Sequence, residues 1–221
     1  MKNRDKQLID PNRYKSISHR AAKVFSTALE VVRQRVPTAE VYHAVLPDLP
    51  WPDDSFDAVI GNFVINHVGD PLSAVAEMRR VVRSGGRAAV TIWPQPSPPL
   101  QRLWGQAFDA SGCERPSYLP TLASDKEFER TPDGLSQLLC SAELRDVHCE
   151  VVRWVHRTDP EDWWAGPAND IGTLGVLMQS QPSEVVLRIR QEYDQLTEVC
   201  RDDDEMLALP TAALLASGTV S

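Results

Sequence analysis

The stretch from Leu49 to Trp93, LPWPDDSFDAVIGNFVINHVGDPLSAVAEMRRVVRSGGRAAVTIW, most constrains what this chain can fold into. It parses as strand, helix, strand. Phe56 to Phe63 is mostly apolar and flanked by polar residues, as a strand buried on both faces should be. Asp70-Pro71 opens a helix, because Asp caps well and Pro suits the first helical position. Leu72, Val75, Ala76, Arg79 and Val82 recur at helical spacing and define one face. Ser84-Gly85-Gly86 should stop the helix, since glycine tolerates the left-handed cap. Ala88 to Trp93 is then a second strand. Two buried strands joined by a helix imply a parallel sheet, and so an α/β fold.

The flanking segments fit one α/β domain over residues 1–221. It divides into an N-terminal helical segment (1–38), a sheet core (39–93), and covering helices with C-terminal strands (94–221). Ile17, Ala21, Val24, Phe25, Ala28, Leu29, Val32 and Val36 form an apolar stripe, so residues 17–36 are expected to be helical, with Pro37 ending the run. Glu40 to Leu46 reads as a short strand. Helices are expected near Leu100–Ala110, Asp133–Ala142, after Asp159-Pro160, and over Ser183–Cys200. Asp146–His156 alternates as a strand, with Val147, Cys149, Val151 and Val155 on one face. Leu209–Val220 is a last strand or a mix of turn and strand.

A net charge of -8 argues against a nucleic-acid or anionic-membrane partner. No apolar run approaches the roughly 20 residues needed to span a bilayer. The first ten residues carry no apolar core of a secretory signal. Cys113, Cys140, Cys149 and Cys200 lack metal spacing, so they read as reduced, mostly buried thiols of a cytoplasmic protein, with no metal.

Taken together, the LPWPDDSFDAV run, the Asn66-His67 pair, the EMRRVVRSGGR helix end and the strand into Trp93 resemble the second half of class I S-adenosylmethionine-dependent methyltransferases. The resemblance extends more weakly over residues 24–221, through WVHRTDPEDWW and LPTAALLASGTV. It implies a Rossmann-like methyltransferase fold. That family begins with a strand and a D-x-G-x-G-x-G turn, where the backbone approaches the cofactor. Here no glycine precedes Gly61. The position of the family's ribose-binding acid falls on Val24, and that of its adenine-side Asp on Val45. The resemblance therefore implies a sheet truncated in its N-terminal half and no cofactor-binding residues. The same gap would follow if the sequence is a piece of a longer enzyme.

The expected function is a methyltransferase-like enzyme that has lost S-adenosylmethionine and acts on an apolar small molecule by cyclisation or isomerisation, as in natural-product biosynthesis. His67 and Asn66, just past a strand's carboxyl end, are the candidate catalytic residues. Trp93, Trp104, Tyr118, Trp163 and Trp164 fall in segments that cover substrate in the family, and are candidate substrate-binding residues. His43 is as readily surface as site, and Asp57 is expected to support the sheet end. Two alternatives stand beside this: an active methyltransferase using S-adenosylmethionine, and a non-catalytic partner of an intact homologue. A sheet lacking its central strands leaves an apolar edge. Either the Glu40 strand pairs inward against Phe56–Phe63, or a second copy of the chain supplies the cover; the wide 17–36 stripe favours the second, so a homodimer is expected.

Overall fold

The computed structural model describes residues 29–119 and 121–221. Its strands are β1 (Phe56–Asn62), β2 (Val82–Ile92), β3 (Arg145–Thr158) and β4 (Leu207–Thr219). Its helices are α1 (Pro71–Arg80), α2 (Pro99–Ala110), α3 (Pro132–Ser141), α4 (Pro160–Ala168), α5 (Gly172–Gln179) and α6 (Ser183–Glu198), after a helical turn at residues 29–35. Each of α1 to α4 opens with proline, whose fixed φ and missing N–H suit that position. Thr131 accepts a hydrogen bond from the Gly134 amide, and Asp159 from those of Glu161 and Asp162.

The strands run in the order β1-β2-β4-β3. β1 and β2 are parallel and joined through α1, with Val59 opposite Ala88 and Gly61 opposite Val90. β4 runs antiparallel to both β2 and β3. Alternation along β4 sends its residues to opposite faces. Leu214 and Ala216, with Val90 and Ile92, pack against Val75, Met78, Leu135 and Leu139 of α1 and α3. Leu207 and Leu209 pack in a second cluster with Leu103, Trp104, Ile189 and Tyr193 of α2 and α6.

The proline-rich loop before β1 is held by Arg80. Its guanidinium donates to the Glu77 carboxylate, to Asp53 at 2.7 Å and to the Trp51 carbonyl at 2.9 Å, while Glu77 accepts from the Leu49 amide at 2.9 Å. This fastens the loop to the end of α1. At the start of β2, Gly86 passes so close to β1 that a Cβ there would lie 2.5 Å from the Asp57 carbonyl oxygen.

Several expectations are corrected. α1 ends at Arg80, and Val82 begins β2, so Ser84-Gly85-Gly86 lies inside a strand. Its buried face is Pro71, Ala74, Val75 and Met78, while Leu72 is exposed. Residues 40–46 form no strand; an isolated bridge joins Val45 to Asp48. They therefore do not pair inward with β1. β1 is the sheet's edge among the described residues and is not buried on both faces: Ile60 is 75% exposed. Cys140 is exposed, and the other three cysteines are half-buried. The expected helix over 17–36 lies outside the described residues except for its last part.

Asp70 caps α1 by accepting from the Ser73 amide at 3.0 Å, and it pairs with Lys126 at 2.8 Å. The Lys126 ammonium and the Ser73 amide hold its carboxyl down to about 2. Asp70→Ala should cost about 1 kcal/mol, the usual worth of such a cap. Urea unfolding at pH 7 checks this, and an unchanged midpoint would deny the cap its role.

Candidate functional site

The chain leaves the sheet's carboxyl end at two neighbouring points, after β1 and after β2. At the first, Phe63 adopts a positive φ of 56°, a conformation that a bulky side chain rarely takes. Thr91 holds it there. The Phe63 amide donates to the Thr91 carbonyl at 3.1 Å and to Thr91 Oγ1 at 3.0 Å, and Thr91 Oγ1 donates to Asn62 Oδ1 at 2.6 Å. The turn aims the Phe63 ring at Trp93, which follows β2. The two rings stack at 4.0 Å, and Trp154 of β3 lies 6.4 Å from Trp93.

A short 3-10 turn, Ile65–His67, follows. Ile65 anchors it in the core. Asn66 Nδ2 reaches the Phe63 carbonyl at 3.5 Å, and Asn66 Oδ1 is enclosed with no partner among the described residues. A buried, unpaired acceptor is uncommon and marks a place where a ligand donor is useful. His67 is lowered below its ordinary range, first by burial and then by the nearby Arg130 cation. Its imidazole is neutral at pH 7, so it can accept a proton or donate one hydrogen bond.

That shift has a testable sign. The folded state resists protonation of His67, so the unfolded chain takes the proton first. His67 thus costs nothing above pH 6.5, and stability falls as pH drops through the lowered value. Replacing it with glutamine should remove this part of the acid sensitivity. Urea midpoints of both proteins at pH 8 and pH 5 test this; parallel losses would contradict it.

The structure divides the candidate residues. His67, Asn66 and Trp93 lie together at the sheet end. Trp104, Trp163 and Trp164 lie elsewhere, in the second core cluster. Trp104 is 3% exposed and stacks on Tyr193 at 5.0 Å and Trp164 at 5.8 Å. Arg190 lies 5.0 Å over the Trp164 ring. Tyr193 is fully buried and donates its hydroxyl to the Pro160 carbonyl at 2.6 Å. Tyr118 stands apart, 65% exposed. Phe63, Thr91, Trp154 and Arg130 join the site without having been expected there. Trp154 falls on the opposite strand face from Val151, and alternation along β3 was the signal for it. Asp57 pairs with Arg83 and His43 is exposed, both away from this group.

On the free side of β1 runs an open groove of about 430 Å³. Its walls include Leu46, Leu49, Val59, Ile60 and Val64, and no carboxylate lines it. S-adenosylmethionine needs close backbone approach and an acceptor for its ribose hydroxyls. Beside β1 the described lining residues are apolar apart from Asn62, and no carboxylate is among them. Val45, expected at the position of the family's adenine-side Asp, is half-buried, and Val24 lies outside the described residues. No group of three His, Cys, Asp or Glu among the described residues could hold a metal ion, and no helix among them is long and apolar enough to cross a membrane.

A methyltransferase-domain family model matches residues 15–90. Over 89 residues the chain is 39% identical to a demethylmenaquinone methyltransferase of Clavibacter sepedonicus, a match covering 38% of this chain and 36% of that protein. The chain thus spans about a third of the length of the curated relatives it matches. Among solved structures it is similar to the YcgJ protein of Bacillus subtilis (16% identity, TM-score 0.47, 91% of this chain and 79% of that one). It is also similar to the [4+2]-cyclase SpnF (17% identity, TM-score 0.44, 88% and 62%). At those scores the two structural likenesses carry no functional argument. Over residues 15–90, then, the chain is similar to the methyltransferase-domain family.

Proposed function

We propose that this chain binds an apolar small molecule at the carboxyl end of its sheet and rearranges it without a methyl donor, by cyclisation or isomerisation. The observation that carries this is the free side of β1. It offers apolar side chains and no carboxylate where a nucleotide-like cofactor needs polar acceptors. The site beside it is equipped for a different task. Stacked Phe63 and Trp93, with Trp154 nearby, give a flat apolar surface against which a flexible chain can be held folded. Holding reacting carbons in a near-attack shape lowers a barrier by several kcal/mol with no cofactor. Asn66 and neutral His67 sit where a hydrogen bond to a substrate carbonyl would stabilise developing charge.

A second reading is favoured by the sequence similarity to demethylmenaquinone methyltransferases: ordinary methyl transfer from S-adenosylmethionine. Incubation of the purified chain with a panel of linear polyene and polyketide-like compounds, with methyl-labelled S-adenosylmethionine present, separates the two. The first reading expects conversion to products of unchanged mass, without label, and loss of that conversion in His67→Ala. Label appearing in product would overturn it.

A further inference from the structure

A second cavity, of about 400 Å³, opens beyond the amino end of α3. Its floor is one face of the sheet, where Val151 and Arg153 of β3 lie beside Leu214 and Ala212 of β4. Its walls are the proline-rich segment after Trp93 and the turn at Arg130 and Pro132. The Gln95 amide donates to the Arg130 carbonyl at 2.9 Å and ties these walls together. The cavity adjoins the site after β1 and β2: Arg130 lines it and also acts on His67, while Phe63, Asn66, His67 and Trp93 do not line it.

Its charge is unlike that of the rest of the protein. The chain carries -8 overall, yet Arg130 and Arg153 both line this space, and neither forms an ion pair among the described residues. Most other arginines placed near carboxylates are paired: Arg80, Arg83, Arg157 and Arg190 each hold one. The amino ends of two helices meet the same walls, α2 at Pro98-Pro99 and α3 at Pro132. The α2 end has no side-chain cap. Helix amino ends carry partial positive charge, which adds to that of the guanidiniums. Behind the wall, Thr211 donates to Gln101 Oε1 at 3.2 Å, and the Gln101 Nε2 amide is enclosed without a partner. Glu129, Asp133 and Glu150 each adjoin a lining residue in sequence, and the field of Asp133 acts on Cys149 of the neighbouring strand. No carboxylate lines the cavity.

We infer that this cavity is a binding site for an apolar organic acid, whose carboxylate the Arg130 and Arg153 guanidiniums hold while its hydrocarbon body lies on Val151, Leu214 and the prolines. Guanidinium suits this role because its planar donors match a carboxylate, and it sheds water more readily than an ammonium. Rigid prolines keep the walls formed before the ligand arrives, which reduces the ordering cost of binding. The proposal goes beyond the rearrangement chemistry proposed above and stands whether or not that chemistry occurs.

Calorimetric titration with octanoate tests it, with 1-octanol as the neutral counterpart and inorganic phosphate as the anion without an apolar body. Octanoate should bind saturably, at least tenfold more tightly than either. Arg130→Gln and Arg153→Gln should each weaken octanoate at least fivefold. Arg87→Gln, which removes an equal charge from the middle of β2, away from the cavity lining, should not. Octanol or phosphate binding as tightly as octanoate would overturn the proposal. So would no saturation by octanoate, or equal affinity in all three variants.

Discussion

Trp104→Ala should lower the stability of the protein by about 3–5 kcal/mol, the cost of truncating a fully enclosed aromatic. Trp104 is the hub of the second core. Its ring stacks on Tyr193 and Trp164, lies 6.0 Å from Phe108, and is 3% exposed. Truncation would open a cavity between α2, α4 and α6 that the neighbours cannot close, because Tyr193 is fixed through its hydroxyl to Pro160. Arg190 would also lose the packed Trp164 face it sits over, since that face is held by Trp104. A loss of this size is a large share of the roughly 5–15 kcal/mol that holds a domain together. Denaturant unfolding followed by far-UV circular dichroism measures it. If Trp104 were instead the wall of an open substrate pocket, stability would hardly change, and only ligand binding would fail.

Gly134→Ala is the second large effect. In an ordinary helix this change gains up to about 1 kcal/mol from helix propensity. Here an alanine Cβ would meet the Glu129 carbonyl oxygen at 2.2 Å and the Glu129 Cβ at 2.7 Å. No rotamer relieves contact with backbone, so residues 129–131 must move away from α3. Overpacking of this kind costs about 1–3 kcal/mol and more where backbone shifts. The expected result is therefore net destabilisation by about 2 kcal/mol. The same displacement carries Arg130, whose charge helps hold His67 neutral. Thermal unfolding reads the stability, and a histidine proton resonance titrated by NMR reads the neighbour. An unchanged or raised midpoint would mean that α3 docks against Glu129 less closely than described.

Local signals carried most of the architecture. Asp-Pro, Thr-Pro and Asp-Pro pairs mark the starts of α1, α3 and α4 because they act within one turn. Alternation along β3 was legible because strand period is set by the backbone. Where the reading failed, the deciding partner lay far off in sequence. Val82 has helical spacing from Val75, yet the Arg80 and Val81 carbonyls accept from the distant Asp54 and Phe56 amides, and the chain then enters β2. Glu40–Leu46 has a strand-like composition, but among the described residues it makes only the isolated bridge from Val45 to Asp48 and stays irregular. Ile60 looks buried by composition, and only its place at the sheet edge exposes it. The tryptophans were the hardest to assign, since spacing along a helix does not say whether the ring meets a cavity or another ring. Tyr193, almost ninety residues beyond Trp104, settles that position. The cluster of Phe63, Asn66, His67 and Trp93 was half legible: the strand ends pointed to it, but the turn of Phe63 onto Trp93 depends on the Thr91 hydroxyl.

The proposed rearrangement chemistry needs a chain that does not take up S-adenosylmethionine. Calorimetric titration of S-adenosylmethionine into the purified 221-residue chain tests this most directly. No binding isotherm is expected up to ~1 mM ligand, corresponding to less than about 4 kcal/mol of favourable free energy. A saturable isotherm in the micromolar range would contradict it.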